Sequence, residues 1–287
     1  MAKTNKRVLV TGAAGILGHK VLEACPEGWE MKGVDIEDFD ITSSKDCRSA
    51  LESHAPRLLI NCAAFTDVDR CETEYETAYR VNAIGAGNLA RAASEQGAEI
   101  IHVSTDYVFD GEKREPYYED DPVCPMSAYG RTKLAGETFV RANNPRHWIV
   151  RTQWLYGHHG KNFVDTILNA ARTRPKLEVV DDQIGCPTYA KDLAEQMVRI
   201  AELGPPYGIY HGSNEGDCSW YDFAKRIVEG GGLGHVQVDP ITSDKLTRAA
   251  RRPAHSVLRN FHLEMTIGNS MRPWEEALAD YLGTLDQ

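Results

Sequence analysis

Residues 7–10 (RVLV) run straight into Thr11-Gly12-Ala13-Ala14-Gly15-Ile16-Leu17-Gly18, and a helical spacing of Val21, Leu22 and Ala24 follows. No other feature restricts the fold of this chain as strongly. A short apolar strand that turns on glycines directly into a helix opens a parallel sheet covered by helices. Gly12, Gly15 and Gly18 let the backbone turn tightly and approach a pyrophosphate, whose charge is favoured by the free N–H groups and dipole at the helix start. Taken alone, the triple glycine also suits an ordinary turn. Asp35 lies 17 residues beyond Gly18, at the end of a second expected strand over 31–36. Its carboxylate can accept hydrogen bonds from an adenosine ribose, which completes a dinucleotide fingerprint.

The rhythm continues with a polar helix over 44–54, a strand over 58–62, a long helix over 71–96 and a strand over 99–103. A loop with Pro116, Pro122 and Pro125 then leads into a helix over 127–142 and a strand over 148–151. Such alternation predicts an α/β fold with a doubly wound parallel sheet, Rossmann-like. Beyond residue 155 the pattern weakens to a helix over 162–172, a strand over 177–180, a helix over 191–203, a strand over 207–211 and a helix from Trp220 that Gly230-Gly231-Gly232 ends. We therefore expect a dinucleotide-binding domain over 1–155, with later segments returning to it. Residues 156–287 are expected to form mainly a smaller, interleaved substrate-binding lobe. In such sheets ligands bind beyond the carboxyl ends of the strands, where Gly12, Asp35, Ala63, Thr105 and Gln153 would share one cleft.

The formal charge of −10 argues against nucleic acid or an anionic membrane as the main partner. An anionic small ligand would need a local basic patch, and Arg248, Arg251 and Arg252 supply the one concentrated run. The polar first seven residues and the lack of an apolar run of about 20 residues predict neither signal peptide nor membrane span, so the cytoplasm is expected. Seven widely spaced cysteines without a CxxC pair predict reduced thiols rather than disulfides or a structural zinc site.

Tyr129 and Lys133 lie four apart on an expected helix and share a face, where the ammonium would favour the phenolate. A free tyrosine titrates near 10, so working near neutrality asks the surroundings for roughly 3 pH units, or about 4 kcal/mol. Tyr221 and Lys225 repeat the spacing, but no strand-end hydroxyl or glycine turn precedes them in the same arrangement. Thr105 follows the expected strand over 99–103 and is the candidate for orienting a carbonyl, with Ser104 as its substitute. His102 suits a core position. His158-His159 could suggest a metal, yet adjacent side chains in a loop rarely chelate together, and no metal site is expected. Trp154 is placed either to stack on a sugar or to pack in the core. Glu37, Asp38 and Asp40 follow Asp35 with no Lys or Arg before Lys45, so a 2′-phosphate would meet repulsion and NADH is expected to be favoured over NADPH.

These features resemble the extended short-chain dehydrogenase/reductases, and within them the dTDP-4-dehydrorhamnose reductase family. The resemblance spans nearly the whole chain, through TGAAGILG, INCAAFTDVDRCE, YRVNAIGAGNLA, VSTDYVFDG, SAYGRTKLAGE, RTQWLYG, VVDDQIGCPTYAKDLA, GIYHGSNEG and RRPAHSVL. It implies Tyr129 as proton donor, Lys133 as its partner and Thr105 as the carbonyl-orienting hydroxyl. Asp106 and Trp154 would contact the sugar nucleotide; apart from the resemblance, Arg252 of the basic run is the best single candidate to support its diphosphate. Gly15, Ile16, Leu17, Asp35, Asp40, Ile41, Ala64, Phe65 and Thr66 would line the cofactor, together with Gly12, Gly18, Ala63, Val103, Tyr129 and Lys133. Related nucleotide-sugar dehydratases usually carry Asp-Glu after the threonine. Tyr107 replaces that glutamate here, which favours simple reduction. The implied activity is NAD(P)H-dependent reduction of a dTDP-4-keto-6-deoxy sugar, with dTDP-L-rhamnose as product. The family also shows mixed NADH and NADPH use and, in some members, a magnesium ion at a homodimer contact, which no motif here settles. Two alternatives stay open: reduction of another nucleotide 4-keto-6-deoxy sugar, and a non-catalytic subunit similar to the regulatory subunit of methionine adenosyltransferase.

Overall fold

A computed structural model describes residues 6–285. Six parallel strands form the central sheet: β1 (Lys6–Thr11), β2 (Trp29–Val34), β3 (Leu58–Asn61), β4 (Glu99–Thr105), β5 (His147–Thr152) and β6 (Gly208–His211), in the order β6-β5-β4-β3-β1-β2. Side-chain alternation along the strands sends Val8, Val10, Leu58, Ile60 and Val150 to one face and Leu9, Leu59, Ile100 and Ile149 to the other. Both faces are dry, as buried parallel strands require. The first face is covered by α1 (Ile16–Glu23) and by α6 (Ala190–Leu203), through Leu17, Val21, Leu193 and Met197. The second is covered by α2 (Ser44–His54) and α3 (Ala86–Glu95), with Val140 of α4 (Ala128–Asn143).

The rest of the later chain builds its own core. There α5 (Phe163–Thr173), α7 (Trp220–Gly230) and α8 (Trp274–Leu285) pack Leu168, Phe223, Ile227, Leu278 and Tyr281 against Tyr156, Tyr189 and Leu177. A small parallel pair, Lys176–Val180 with Gln237–Ile241, completes this lobe. That second strand and α8 lie beyond residue 232, where no elements are expected from the sequence reading. Among the described residues no helix is long and apolar enough to cross a membrane, and all seven cysteines are free thiols.

Two departures from the expected elements matter for the site. β2 stops at Val34 because Asp35 turns out of the strand, its side chain accepting the N–H groups of Ala14 and Ile36. The long helix expected over 71–96 is broken into Arg70–Thr73, Tyr75–Tyr79, a π turn over Arg80–Gly85, and α3. Within that turn, which inserts a wider ring into the helix, Asn82 bonds the backbone of Phe65 in both directions, at 2.7 and 3.0 Å, and donates to Thr132 at 3.0 Å. Gly136 lets α4 come this close, since a Cβ there would collide with the Asn82 carbonyl oxygen.

Candidate active site

Beyond the carboxyl ends of the strands lies a cleft of about 870 Å³. One end is built from backbone. Gly12 has φ of 71°, and a Cβ on it would sit 2.6 Å from the Ala63 nitrogen; one on Gly18 would strike the Gly12 carbonyl. Gly15 starts α1 without a side-chain cap, so the first-turn N–H groups of the helix meet no side-chain acceptor. The cradle therefore has both the space and the donors for a pyrophosphate. Gly12, Gly15, Ile16, Leu17 and Gly18 all line it.

Asp35 stands at the rim, its two oxygens accepting Ala14 N–H and Ile36 N–H, each at 2.9 Å. Asp40 and Ile41 line the same rim, but both Asp40 oxygens are turned to Thr42, one to its N–H and one to its hydroxyl, each at 2.8 Å. Arg80, from the π turn, reaches the same Thr42 hydroxyl at 3.3 Å. Opposite, Ala63, Ala64, Phe65 and Thr66 form a wall after β3. Asn61 fixes its start by accepting from Thr11 Oγ1 at 2.8 Å and Ala63 N–H at 3.1 Å, and Asn82 fixes Phe65.

At the other end of the cleft are Val103, Thr105, Tyr129 and Lys133. Ser127 caps α4 by accepting the Gly130 N–H at 3.1 Å, which sets Tyr129 in the first turn. Gly130 has no Cβ to strike the Tyr107 carbonyl, so this turn lies directly on the segment Asp106–Val108. Lys133 is buried and donates to the Val103 carbonyl at 2.6 Å. Burial lowers its pKa to about 8, against the opposing charge of Glu137. Tyr129 moves the other way: burial, then the nearby Asp106 charge, raise its pKa, and the Thr105 hydroxyl opposes the shift. The sequence-based expectation of a phenol lowered toward neutrality is thus not met in this structure. Lys133 is turned to the Val103 carbonyl, and burial holds Tyr129 protonated, the form a proton donor needs.

Thr105 Oγ1 accepts the Tyr107 N–H at 3.2 Å and gives its proton to Asp106 Oδ1 at 2.9 Å. Ser104 is committed elsewhere, donating at 2.6 Å to Glu137, which also takes a two-point ion pair from Arg151 beneath the sheet. It does not substitute for Thr105. His102 is a core residue: its Nδ1 meets Asn61 at 3.0 Å, and burial pushes its pKa well down.

The substrate-side expectations divide. Asp106 and Trp154 line the cleft, and Arg252 does not. Trp154 has φ of 46° and lies flat on Trp220, ring centres 3.6 Å apart at 12°. Gly185 is required behind it, since a Cβ there would come within 2.5 Å of the indole. Arg252 makes a two-point ion pair with Asp69, at 2.7 and 2.6 Å, and lines a second cavity of about 680 Å³ with Arg248 and Arg251. That pairing holds the Asp69 carboxyl far below the usual carboxylate range.

Gln153 lines the cleft, as expected from its place at a strand end, and so do Thr152 and Trp220, which were not expected there. RTQWLYG was the available signal for the first two; Trp220 comes from the far lobe and had none. His159 lies against His19, ring centres 3.6 Å apart, and both are near Glu23, with ligand-type atoms within 4.8 Å of one another. Glu23 is already held by Lys20 at 2.6 Å. Tyr221 is half-buried on α7 and lines no part of the cleft.

The comparisons with known proteins agree with this geometry. The chain is 43% identical over 280 residues to the spore coat polysaccharide biosynthesis protein SpsK of Bacillus subtilis, covering 96% of each chain. Among solved structures it resembles a dTDP-4-dehydrorhamnose reductase from Clostridium acetobutylicum (46% identity, TM-score 0.95, covering 98% of this chain and 100% of that one). Another is the dTDP-4-dehydrorhamnose reductase of Bacillus anthracis in complex with NADP (38% identity, TM-score 0.94, covering 99% and 100%). The family described as RmlD substrate binding domain matches residues 6–287, and the chain belongs to that family.

Proposed function

We propose that this protein is an NAD(P)H-dependent reductase that converts the C4 ketone of dTDP-4-dehydro-L-rhamnose to the alcohol of dTDP-L-rhamnose. The observation that carries the reading is the placement of Thr105, Tyr129 and Lys133 at one end of a single cleft whose other end is the glycine cradle with Asp35. The cradle and the wall from Ala63 to Thr66 would hold the dinucleotide. When bound, the nicotinamide supplies a hydride. Tyr129 gives its proton to the developing alkoxide, and its raised pKa keeps that proton available through neutral pH. Thr105 holds the carbonyl oxygen by turning its single hydroxyl proton away from Asp106. Lys133, one turn along α4, places a positive charge beside the phenolate that forms.

The stacked Trp154 and Trp220 offer an apolar surface for the sugar ring, and residues 156–287 supply most of the substrate lobe in this reading. Arg252 is tied to Asp69, while Arg248, beside it in the second cavity, has neither hydrogen bond nor ion pair among the described residues and is the better candidate for the diphosphate. Asp35 supports a preference for NADH, and Arg80 is the basic residue in place to tolerate a 2′-phosphate. Homodimer assembly and a magnesium requirement rest on the resemblance alone; light scattering and chelation of the assay test them. Seven free thiols fit a reducing cytoplasm.

The direct test supplies the purified protein with NADH or NADPH and dTDP-6-deoxy-L-lyxo-4-hexulose and identifies the sugar by NMR. Formation of dTDP-L-rhamnose is expected. No turnover with either cofactor, magnesium included, would turn the reading toward a non-catalytic subunit. A C4 epimer would keep the enzyme class and change the product.

A further inference from the structure

Among the described residues three cleft-lining side chains carry a buried polar atom without a partner, Thr152, Gln153 and Asp106, and for the last two the neighbours fix what each can bind. Gln153 follows β5 and is 2% exposed. One end of its amide accepts the Cys186 N–H at 3.0 Å. A backbone N–H only donates, so that end is the oxygen, and Nε2 with its two protons is the end left without an acceptor. Asp106, 1% exposed, presents the complement: Oδ1 takes the Thr105 proton, and Oδ2 meets no donor. Ser256 lies beside both residues and gives its one hydroxyl proton to the Gln153 oxygen at 3.4 Å, which leaves none for Asp106 Oδ2. Both line the cleft that contains Thr105 and Tyr129. Buried polar atoms are nearly always paired, so a bare donor and a bare acceptor in one cleft, beside the reacting centre, call for a ligand that does both.

We propose that Gln153 Nε2 and Asp106 Oδ2 form a donor–acceptor pair that reads the C3 hydroxyl next to the C4 ketone. The site would then select hexoses that keep this hydroxyl over 3-deoxy sugars. This rests on the nucleotide-sugar reading given above and adds the group that is recognised. A hydroxyl donates once and accepts as well, so one hydroxyl satisfies both atoms. A 3-deoxy ring would leave both buried atoms unpaired, which is how polar sites reject analogues that lack a hydroxyl.

The test compares wild type with Gln153→Leu and Gln153→Glu. The second keeps an oxygen for the Cys186 N–H while removing the donor, and it serves if the leucine variant folds poorly. Wild type should prefer the 3-hydroxy over the 3-deoxy dTDP-4-keto sugar by roughly 100-fold or more in kcat/KM. Each variant should lose about 10- to 100-fold on the 3-hydroxy sugar and stay within threefold on the 3-deoxy sugar, with KM for NADH unchanged. Calorimetry adds a readout independent of turnover: the variants should lose affinity for dTDP-L-rhamnose but not for dTDP. Undiminished discrimination in both variants overturns the inference and leaves the reductase reading intact. So does a wild type that binds dTDP-L-rhamnose no tighter than dTDP. Gln153-dependent binding of dTDP-L-rhamnose without turnover of either sugar would keep the subsite and remove the reductase.

Discussion

The first turns of α4 and α7 carry the same Tyr-x-x-x-Lys spacing in two different surroundings. On α4, Tyr129 and Lys133 are enclosed by β4 and the segment Asp106–Val108, and burial moves both pKa values. On α7, Lys225 is exposed and its ammonium lies 5.4 Å above the Tyr221 ring, a surface cation–π contact. α7 opens with a full capping box, Ser219 with Asp222, and packs Phe223 and Ile227 into the lobe core. It is a well-made structural helix. α4 instead opens over a strand end that brings a hydroxyl and a carboxyl to the same point. The spacing fixes which residues share a helix face, whereas the chemistry comes from where that face lands.

The largest effect expected from this contrast is on turnover. Tyr129→Phe should lower kcat by roughly 10²–10⁴ while dinucleotide binding stays within a few fold, because the proton donor goes and the cradle remains. Tyr221→Phe should leave kcat within twofold. Parallel steady-state assays decide between the helices, and a crippled Tyr221→Phe with an active Tyr129→Phe would reverse the assignment.

Legibility in the sequence follows the same division. Asp35 and the glycines could be read because backbone needs at a β–α turn leave few residue choices, and Thr105, Tyr129 and Lys133 because their order along the sheet fixes their common edge. The π turn could not be read: Asn82 is drawn into it by Phe65 and Thr132, residues 17 and 50 positions away. Arg252 was misleading for a related reason, since its charge is visible in the sequence and its partner Asp69, 183 positions earlier, is not. Trp220 reaches the cleft only by stacking on Trp154 across two lobes. The direction of the Tyr129 shift also needed the structure, because burial and not spacing sets it.

Next in size are two further look-alike pairs. Arg248→Ala should raise KM for the sugar nucleotide roughly tenfold with kcat nearly unchanged, as expected for a lost charged hydrogen bond. Arg252→Ala should act chiefly on thermal stability by leaving Asp69 unpaired. If Arg252→Ala alone raised KM, the diphosphate would belong to Arg252. Asp35→Ala should cut the NADH-to-NADPH ratio of kcat/KM by several fold to about tenfold, consistent with loss of a ribose-binding carboxylate. Asp40→Ala should change the ratio less, both its oxygens being spent on Thr42. A tenfold wild-type preference for NADPH would point to Arg80 as the residue that outweighs Asp35.

The smallest effect returns to the two helices and concerns stability. A buried lysine with a pKa near 8 binds its proton less well folded than unfolded, where the value is 10.5. Below pH 8 both states are charged, and the folded state bears the full cost of a buried ammonium. Between pH 8 and 10.5 the unfolded chain keeps the proton that the folded chain has lost, so the stability contributed by this group rises with pH and the penalty fades. Lys133→Met should therefore stabilise the protein at pH 7 by roughly 1–3 kcal/mol, after allowing for the lost bond to Val103, while impairing turnover. In a domain of this size that is a Tm increase of roughly 2–6 °C, and it should shrink as pH rises from 8 to 10. Lys225→Met removes an exposed ammonium, and its Tm change should stay within about 1 °C across that range. Melting curves of the three proteins at pH 7 and pH 10 test the pair. A Lys133→Met gain that grew with pH, or an equal gain in Lys225→Met, would show that burial of the α4 lysine is not what separates these helices.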